Sequence, residues 1–193
     1  MKVFDFDNTI YNGESSIDFA FYLIREKKKI ILYIPTILFS LVRYKLCLIS
    51  KEKLEAVINN FFEGVMEETE SLPLFVDQFW KKNSHKLNEG LLRLIKPEDV
   101  IISASPVFLF DGVRGLINTE RIFGTEVDFK HKRITWFNFG DNKVKRYKSL
   151  YGDRKIDVFF TDSYNDRDLM KLSERIYIMK KGAPVKRLSP KNN

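Results

Sequence analysis

The sequence predicts an α/β fold: a parallel sheet covered by helices on both faces, interrupted early by one all-helical insertion. Three observations carry this expectation. From about residue 86 onward, short hydrophobic strands alternate with helical segments, the signature of a parallel sheet. From about residue 14 to 85 the patterns are helical throughout, with no strand among them. A hydrophobic strand already stands at the very start, before the insertion. Residues 1–13 and 86–193 are therefore expected to form the α/β core, and residues 14–85 a helical subdomain.

Taken in order, Met1 to Phe4 reads as a strand running into Asp5-Phe6-Asp7-Asn8-Thr9. Residues i and i+2 of a strand share a side, so Asp5 and Asp7 converge if the strand continues. Tyr11-Asn12-Gly13 is a turn signal, and Ser15 and Ser16 are candidate caps for a helix through Asp18–Ile24. A basic run, Arg25 to Lys29, follows. Ile30 to Val42 is thirteen residues without a charge. As a straight helix it would span about 20 Å, short of the roughly 30 Å of a bilayer's hydrocarbon core, and Pro35 interrupts it. It is read as a buried helix, with a helix lying on a membrane or lipid substrate as the alternative. Ser50 opens a capping box with Lys51-Glu52-Lys53 and a helix through Leu54, Val57, Ile58 and Phe61-Phe62. A helix over Glu67–Trp80 is broken or restarted at Pro73. Leu87, Leu91, Leu92 and Ile95 line one face of a helix over Ser84–Ile95.

In the second half, Val100 to Pro106 is a buried-type strand ending in small hydroxyl residues, and Phe108 to Ile117 reads as a helix. Arg121–Asp128 and Arg133–Phe137 are short strands joined at Lys130-His131-Lys132. Lys143–Tyr151 is a basic helix. Ile156–Phe160 is a second buried strand, ending in Thr161-Asp162-Ser163-Tyr164-Asn165-Asp166. A helix over Arg167–Leu172 and a strand over Arg175–Met179 complete the pattern, and Pro184–Asn193 reads as a polar tail.

Composition bounds the rest. Hydrophobic residues make up 44% of the 193, with 17 Phe and 8 Tyr, which describes a globular chain and not a disordered one. A net charge of +7 favours acidic partners: phosphorylated compounds, anionic membrane surfaces or nucleic acid. Nucleic acid ranks low, because the lysines are dispersed and no zinc spacing, RNA-binding signature or basic helix-turn-helix pattern occurs. Cys47 is the only cysteine, so no intramolecular disulfide is possible, and its apolar context suits a packed thiol better than a nucleophile. The opening strand leaves no room for a signal peptide. A cytoplasmic protein is expected.

Three predicted strands end in residues with chemistry. The first ends in Asp5 and Asp7, the second in Ser103, and the third in Asp162 with Asn165 and Asp166 following. Lys143 starts the helix before the third. The carboxyl ends of parallel strands share one edge, so these groups can meet in one crevice. Carboxylates there suit a hard cation such as Mg²⁺. A lysine, a hydroxyl and loop N–H groups suit a phosphoryl group.

On these residues the chain resembles the haloacid dehalogenase-like superfamily of phosphohydrolases, in the branch that includes phosphoserine phosphatase-like enzymes. Asp5-Phe6-Asp7-Asn8-Thr9 matches the first motif, Ser103 in Ile-Ile-Ser-Ala-Ser-Pro the second, Lys143 the third and the Asp162–Asp166 loop the fourth. The four stand in the family's order along the whole core. The resemblance implies a Rossmann-like, doubly wound core with the helical stretch as a cap inserted between motifs one and two. It implies Asp5 as a nucleophile forming an aspartyl-phosphate, and Asp7 as the acid for the leaving group and then the base for water. It implies Mg²⁺ held by an Asp5 oxygen, the Asp7 backbone carbonyl and Asp162. Ser103 and Lys143 would hold phosphoryl oxygens, and Asp166 would orient Lys143 or a metal-bound water. Among the remaining residues, Thr9 is expected to fix its loop by hydrogen bonding. Asn165 and Ser105 are expected to cap helices, and Lys145 and Lys148 compete with Lys143. Thr161 stands where many relatives have Gly, and Trp136–Gly140 is unusually aromatic. The cap has no cluster that reads a small amino acid, so small phosphometabolites and lipid phosphates both stay open as substrates. The contrasting expectation is a non-catalytic phosphate- or metal-binding protein. Asp7 argues against it, because metal binding there needs only the backbone carbonyl.

Overall fold

The computed structural model describes residues 1–45, 48–68, 72–180 and 183–188. Cys47 lies outside them. A seven-stranded sheet forms the centre, with β1 (Lys2–Phe4), β2 (Val100–Pro106), β3 (Ile122–Asp128), β4 (Arg133–Trp136), β5 (Val158–Thr161), β6 (Ile176–Lys180) and β7 (Ala183–Leu188). Their spatial order is β4-β3-β2-β1-β5-β6-β7, parallel except for the antiparallel edge strands β4 and β7. This is a Rossmann-like α/β sheet with helices on both faces.

Its inner strands are apolar on both sides because both sides are buried. Phe4, Ile101, Val158 and Phe160 point into one core; Val3, Val100, Ile102 and Phe159 point into the other. Phe4 stacks on Phe160 with ring centroids 4.8 Å apart, fixing β1 against β5. The second core is closed by α6 (Asp141–Tyr151) and α7 (Arg167–Lys171), through Tyr147, Leu169 and Met170.

The first core is covered by α1 (Ser15–Glu26), α4 (Leu72–Asn83) and α5 (Glu89–Leu94). Phe19, Tyr22 and Leu23 of α1 and Val76, Phe79 and Trp80 of α4 join the cluster that contains Phe4, Phe6 and Phe110. Each such large side chain contributes roughly 1.5–3 kcal/mol on burial, enough to dock both helices on the sheet. Trp80 Nε1 also donates to the Leu109 carbonyl at 2.6 Å. Between them, a 3₁₀ turn (Lys28–Tyr33) leads into α2 (Ile34–Lys45), which packs on α3 (Lys51–Glu68). Tyr33 lies over Gly64, where an added Cβ would come within 2.3 Å of its ring. No described helix is long and apolar enough to cross a membrane.

Several sequence expectations need correction. The uncharged stretch 30–42 is not one buried helix: it starts as 3₁₀, Pro35 falls in the first turn of α2, and Leu32 and Phe39 are 75% and 62% exposed. Residues 108–117 form 3₁₀ segments, Val107–Gly112 and Arg114–Leu116, instead of an α-helix. Gly112 and Gly115 weaken a helix there, and Gly112 sits where a Cβ would meet Trp80 at 2.6 Å. The helix over 84–95 is split, because Asn88 caps α5 by accepting from Leu91 N–H. Ser50 accepts from Lys53 N–H, but a lysine at that third position cannot complete a capping box. The polar tail begins as a strand, since β7 pairs with β6. Pro184 and the charged Lys186 and Arg187 are tolerated because β7 is an edge.

Candidate active site

β1 lies where the strand order reverses, with β2 on one side and β5 on the other, so its carboxyl end opens into the crevice of the sheet. Asp5 extends the ladder, its N–H donating to the Phe160 carbonyl at 2.8 Å. The chain then turns. Phe6 buries its ring against Phe110, and the Phe6 carbonyl accepts from the N–H groups of Thr9 and Tyr11. Asn8 takes φ of +54°, a conformation Asn tolerates better than most residues.

Asp5 is buried and its Oδ1 lies 2.8 Å from Lys143 Nζ. Lys143 also reaches Asp166 Oδ2 at 3.1 Å, and the hydroxyl of Thr161 donates to that same oxygen at 2.9 Å. Lys143 is delivered by the first turn of α6, just after Gly140 with its φ of +56°. Lys145 and Lys148 are exposed on the same helix. Asp162, at the end of β5, is within hydrogen-bonding reach of Asp5 and Asn8.

Asp7 is held apart from this group. Its Oδ1 accepts from the N–H and hydroxyl of Ser15, at 2.7 and 2.6 Å, so that it tethers the first residue of α1. Its Oδ2 accepts from Ser105 Oγ at 2.6 Å and, more distantly, from Ser103 Oγ at 3.3 Å. Ser103 is fully buried, and its Oγ also accepts from Ser105 N–H at 3.0 Å. Ala104 forms the cleft wall there.

The cleft has a volume of about 130 Å³, lined by Asp5, Asp7, Glu14, Ala104, Phe139, Gly140, Lys143, Asp162, Ser163, Asn165 and Asp166. Lys143 is the one cation among these, facing five carboxylates. Burial pushes the Asp5 carboxyl well above the usual range; Lys143 pulls it back, while Asp166 and Asp7 add to the rise. Burial likewise raises Asp162, against its hydrogen bond with Asp5 and the charge of Lys143. Glu14 is raised by burial and by the charges of Asp7 and Asp162. Burial alone would lower the ammonium of Lys143, but Asp5 and Asp166 outweigh it and keep the group charged. Uncompensated negative charge of this kind is what a divalent cation relieves.

Among the described residues, no three His, Cys, Asp or Glu side chains are gathered as a ready metal cage. Mg²⁺ does not require one: it is commonly held by one or two carboxylates with several waters. Asp5 and Asp162, which line the same cleft, are a carboxylate pair of that kind.

The structure thus brings Asp5, Asp7, Lys143, Asp162, Asn165 and Asp166 to one cleft, with Ser103 behind Asp7. Three expectations are corrected. Thr9 is buried, and its hydroxyl has no hydrogen-bond partner among the described residues, so it does not fix the loop through its side chain. Among the described residues Asn165 is the cap of neither following element: the turn over Tyr164–Asp166 is capped by Ser163, whose Oγ accepts from Asn165 N–H, and the cap position of α7 is Asp166. Ser105, expected as a helix cap, instead bonds Asp7. Glu14, Ser15 and Ser16 also belong to the site's surroundings. Their signal was the serine pair after the turn, which reads equally well as a helix start.

The family model described as haloacid dehalogenase-like hydrolase matches residues 3–171. Among solved structures, a Bordetella pertussis Tohama I protein of unknown function is similar, with a TM-score of 0.71 and 16% identity over 92% of this chain and 88% of that one. A phosphoserine phosphohydrolase-like protein from Francisella tularensis subsp. tularensis SCHU S4 has a TM-score of 0.56 and 17% identity over 92% and 87%. At these identities the likeness speaks to the fold alone. No curated protein matches the sequence.

Proposed function

The chain belongs to the haloacid dehalogenase-like hydrolase family, and from that premise we propose that it is a Mg²⁺-dependent phosphomonoester hydrolase working through an aspartyl-phosphate on Asp5. The supporting observation is the division of the two opening carboxylates. Asp5 sits against Lys143 on the cleft floor, whereas Asp7 is drawn to the serines of α1 and β2. This division supports Asp5 as the attacking group and Asp7 as the group that moves a proton.

In this reading an Asp5 oxygen attacks phosphorus and displaces the ester oxygen, to which Asp7 gives a proton. Asp7 then takes a proton from the water that cleaves the aspartyl-phosphate. Lys143, anchored by Asp166, holds phosphoryl oxygens and stabilises the charge in flight; Ser103, expected to share that contact, lies behind Asp7 outside the cleft lining and supports the Asp7 carboxylate instead. Bound Mg²⁺, held by Asp5, Asp162 and the Asp7 carbonyl, would supply charge neutralisation for the phosphoryl group.

The cleft takes a phosphoryl group and little more, so the remainder of the substrate lies outward. We assign the choice of substrate to residues 14–85 acting as a cap. A small phosphometabolite is the leading class, with Glu14 as an acidic neighbour at the mouth. A lipid phosphate is the second, favoured by the exposed Leu32 and Phe39 beside the basic Arg25, Lys27 and Arg43. The lone Cys47 suits a cytoplasmic protein, in peripheral membrane contact under the lipid reading.

The test is hydrolysis of p-nitrophenyl phosphate with Mg²⁺ by wild type and Asp5→Asn. Wild type is expected to turn over and the variant to fall to background. Equal rates in the two would favour the non-catalytic alternative. Failure to bind anionic liposomes would end the lipid reading.

A further inference from the structure

β2 does not end as a regular strand. Ile101 pairs with Ile122 and Ile102 with Phe123, and then the register slips so that Pro106 faces Thr125. A bulge of this kind re-aims the side chains it carries. Three neighbours hold it. Asn138 is fully buried and donates from Nδ2 to the Ser103 carbonyl at 2.8 Å. Thr125 Oγ1 donates to the Ala104 carbonyl at 2.6 Å. Gly124 lets the Ser105 carbonyl approach so closely that a Cβ there would stand 2.3 Å from it.

The result is that the buried Ser105 hydroxyl points at Asp7 Oδ2, 2.6 Å away. Ser105 has one hydroxyl proton and gives it to Asp7, so in its 2.6 Å contact with Ser16 the Ser16 hydroxyl is the donor. A carboxylate offers about four lone-pair sites. Ser15 fills the two on Oδ1 with its N–H and hydroxyl. Ser105 takes one on Oδ2, and the last is engaged only by Ser103 at 3.3 Å. The carboxyl is thereby oriented, with one site left for a transferable proton.

We propose that Ser105 is a positioning residue for proton transfer by Asp7, and that the β2 bulge serves to bring it there. The inference rests on the phosphatase reading of Asp7. In the step concerned, the Asp5 oxygen forms its bond to phosphorus as the ester P–O bond breaks. The leaving oxygen keeps the bonding electron pair and takes the proton from Asp7. A leaving group that departs easily as an anion depends little on that proton, and a more basic one depends on it strongly.

The experiment compares kcat/KM, which covers the steps through leaving-group departure, for p-nitrophenyl phosphate and phenyl phosphate. These probes share a shape and differ in leaving-group basicity. Ser105→Ala is expected to lose on the order of tenfold or more on phenyl phosphate, part of the range general acids supply, and several-fold less on p-nitrophenyl phosphate. Ser105→Thr, which keeps the hydroxyl, is expected to restore the wild-type ratio between the two. Thermal unfolding of each variant identifies any loss of fold, which would lower both rates alike. Equal fold-losses on the two esters in folded Ser105→Ala, or no rescue by the threonine, would overturn the inference. No turnover of either ester by wild type would overturn the phosphatase reading, and this inference with it.

Discussion

At the scale of single residues, the site is defined by charge that outnumbers its compensation. Lys143 stands between Asp5 and Asp166, all three buried. Removing one partner from a buried ionic group typically costs about 3–5 kcal/mol. Lys143→Ala should therefore lower the denaturation midpoint at neutral pH. The deficit should shrink in mildly acidic buffer, because burial already raises the Asp5 carboxyl and a proton can replace the lost ammonium. Thr9 gives the opposite case. Its hydroxyl is buried without a partner among the described residues, and an unsatisfied polar atom costs more than an apolar one of the same shape. Thr9→Val should stabilise the protein by about 1 kcal/mol in chemical denaturation. Asp5, Asp7 and Asp162 were legible in the sequence because they follow apolar strands, and Lys143 because it opens the helix before the last of these strands. The serines were not. Ser15, Ser16 and Ser105 suit a helix cap as well as a carboxylate, and only the folded backbone decides which they meet.

At the scale of elements, β1 is short and is secured at both ends. At its start Asp99 accepts from Lys2 N–H at 2.7 Å, Lys2 Nζ at 2.6 Å and Lys96 N–H at 3.0 Å. Burial pushes the Asp99 carboxyl up, but the Lys2 and Lys96 donors outweigh it and bring it below the ordinary 3.8. The folded protein thus binds this proton more weakly than the unfolded chain does. Its stabilisation is fully present above the ordinary value and is lost as pH falls through the folded one. Asp99→Asn should cost about 1–3 kcal/mol at neutral pH, with the difference from wild type vanishing in strong acid. Urea denaturation across pH measures both. The strands were readable where both faces are buried, since β2 and β5 are nearly continuous apolar runs. The helix expected over residues 108–117 does not form, because the same apolar spacing serves an α-helix or successive 3₁₀ turns, and Gly112 with Trp80 against it selects the latter. β7 carries no apolar pattern and owes its place to the edge of β6.

At the scale of the molecule, the sheet order places three strand ends at one opening, and the helical stretch stands between the first of them and the other two in sequence. α1 and α4 share the sheet's own core, whereas α3 meets the far edge, where Asn59 Oδ1 accepts from Ile134 N–H at 2.8 Å. In the structure α1 to α5 lie between β1 and β2 along the chain, but sequence alone cannot show which of these helices dock on the sheet, because amphipathic spacing names a buried face without naming its partner. The acidic cleft predicts a linkage that involves the whole fold. Mg²⁺ at about one hundred times its dissociation constant should add about 2.7 kcal/mol to stability. That gain should diminish as pH falls, since burial raises Asp5 and Asp162 and protons then compete with the cation; Tm with and without Mg²⁺ across pH reads it. The central claim is tested most directly by quenching the enzyme during turnover of p-nitrophenyl phosphate and reducing it with borohydride, which converts an aspartyl-phosphate to homoserine. Peptide mass mapping should then find homoserine at position 5 in wild type and none in Asp5→Asn. Turnover with residue 5 unmodified, or with the reduction product at another carboxylate, would contradict the account.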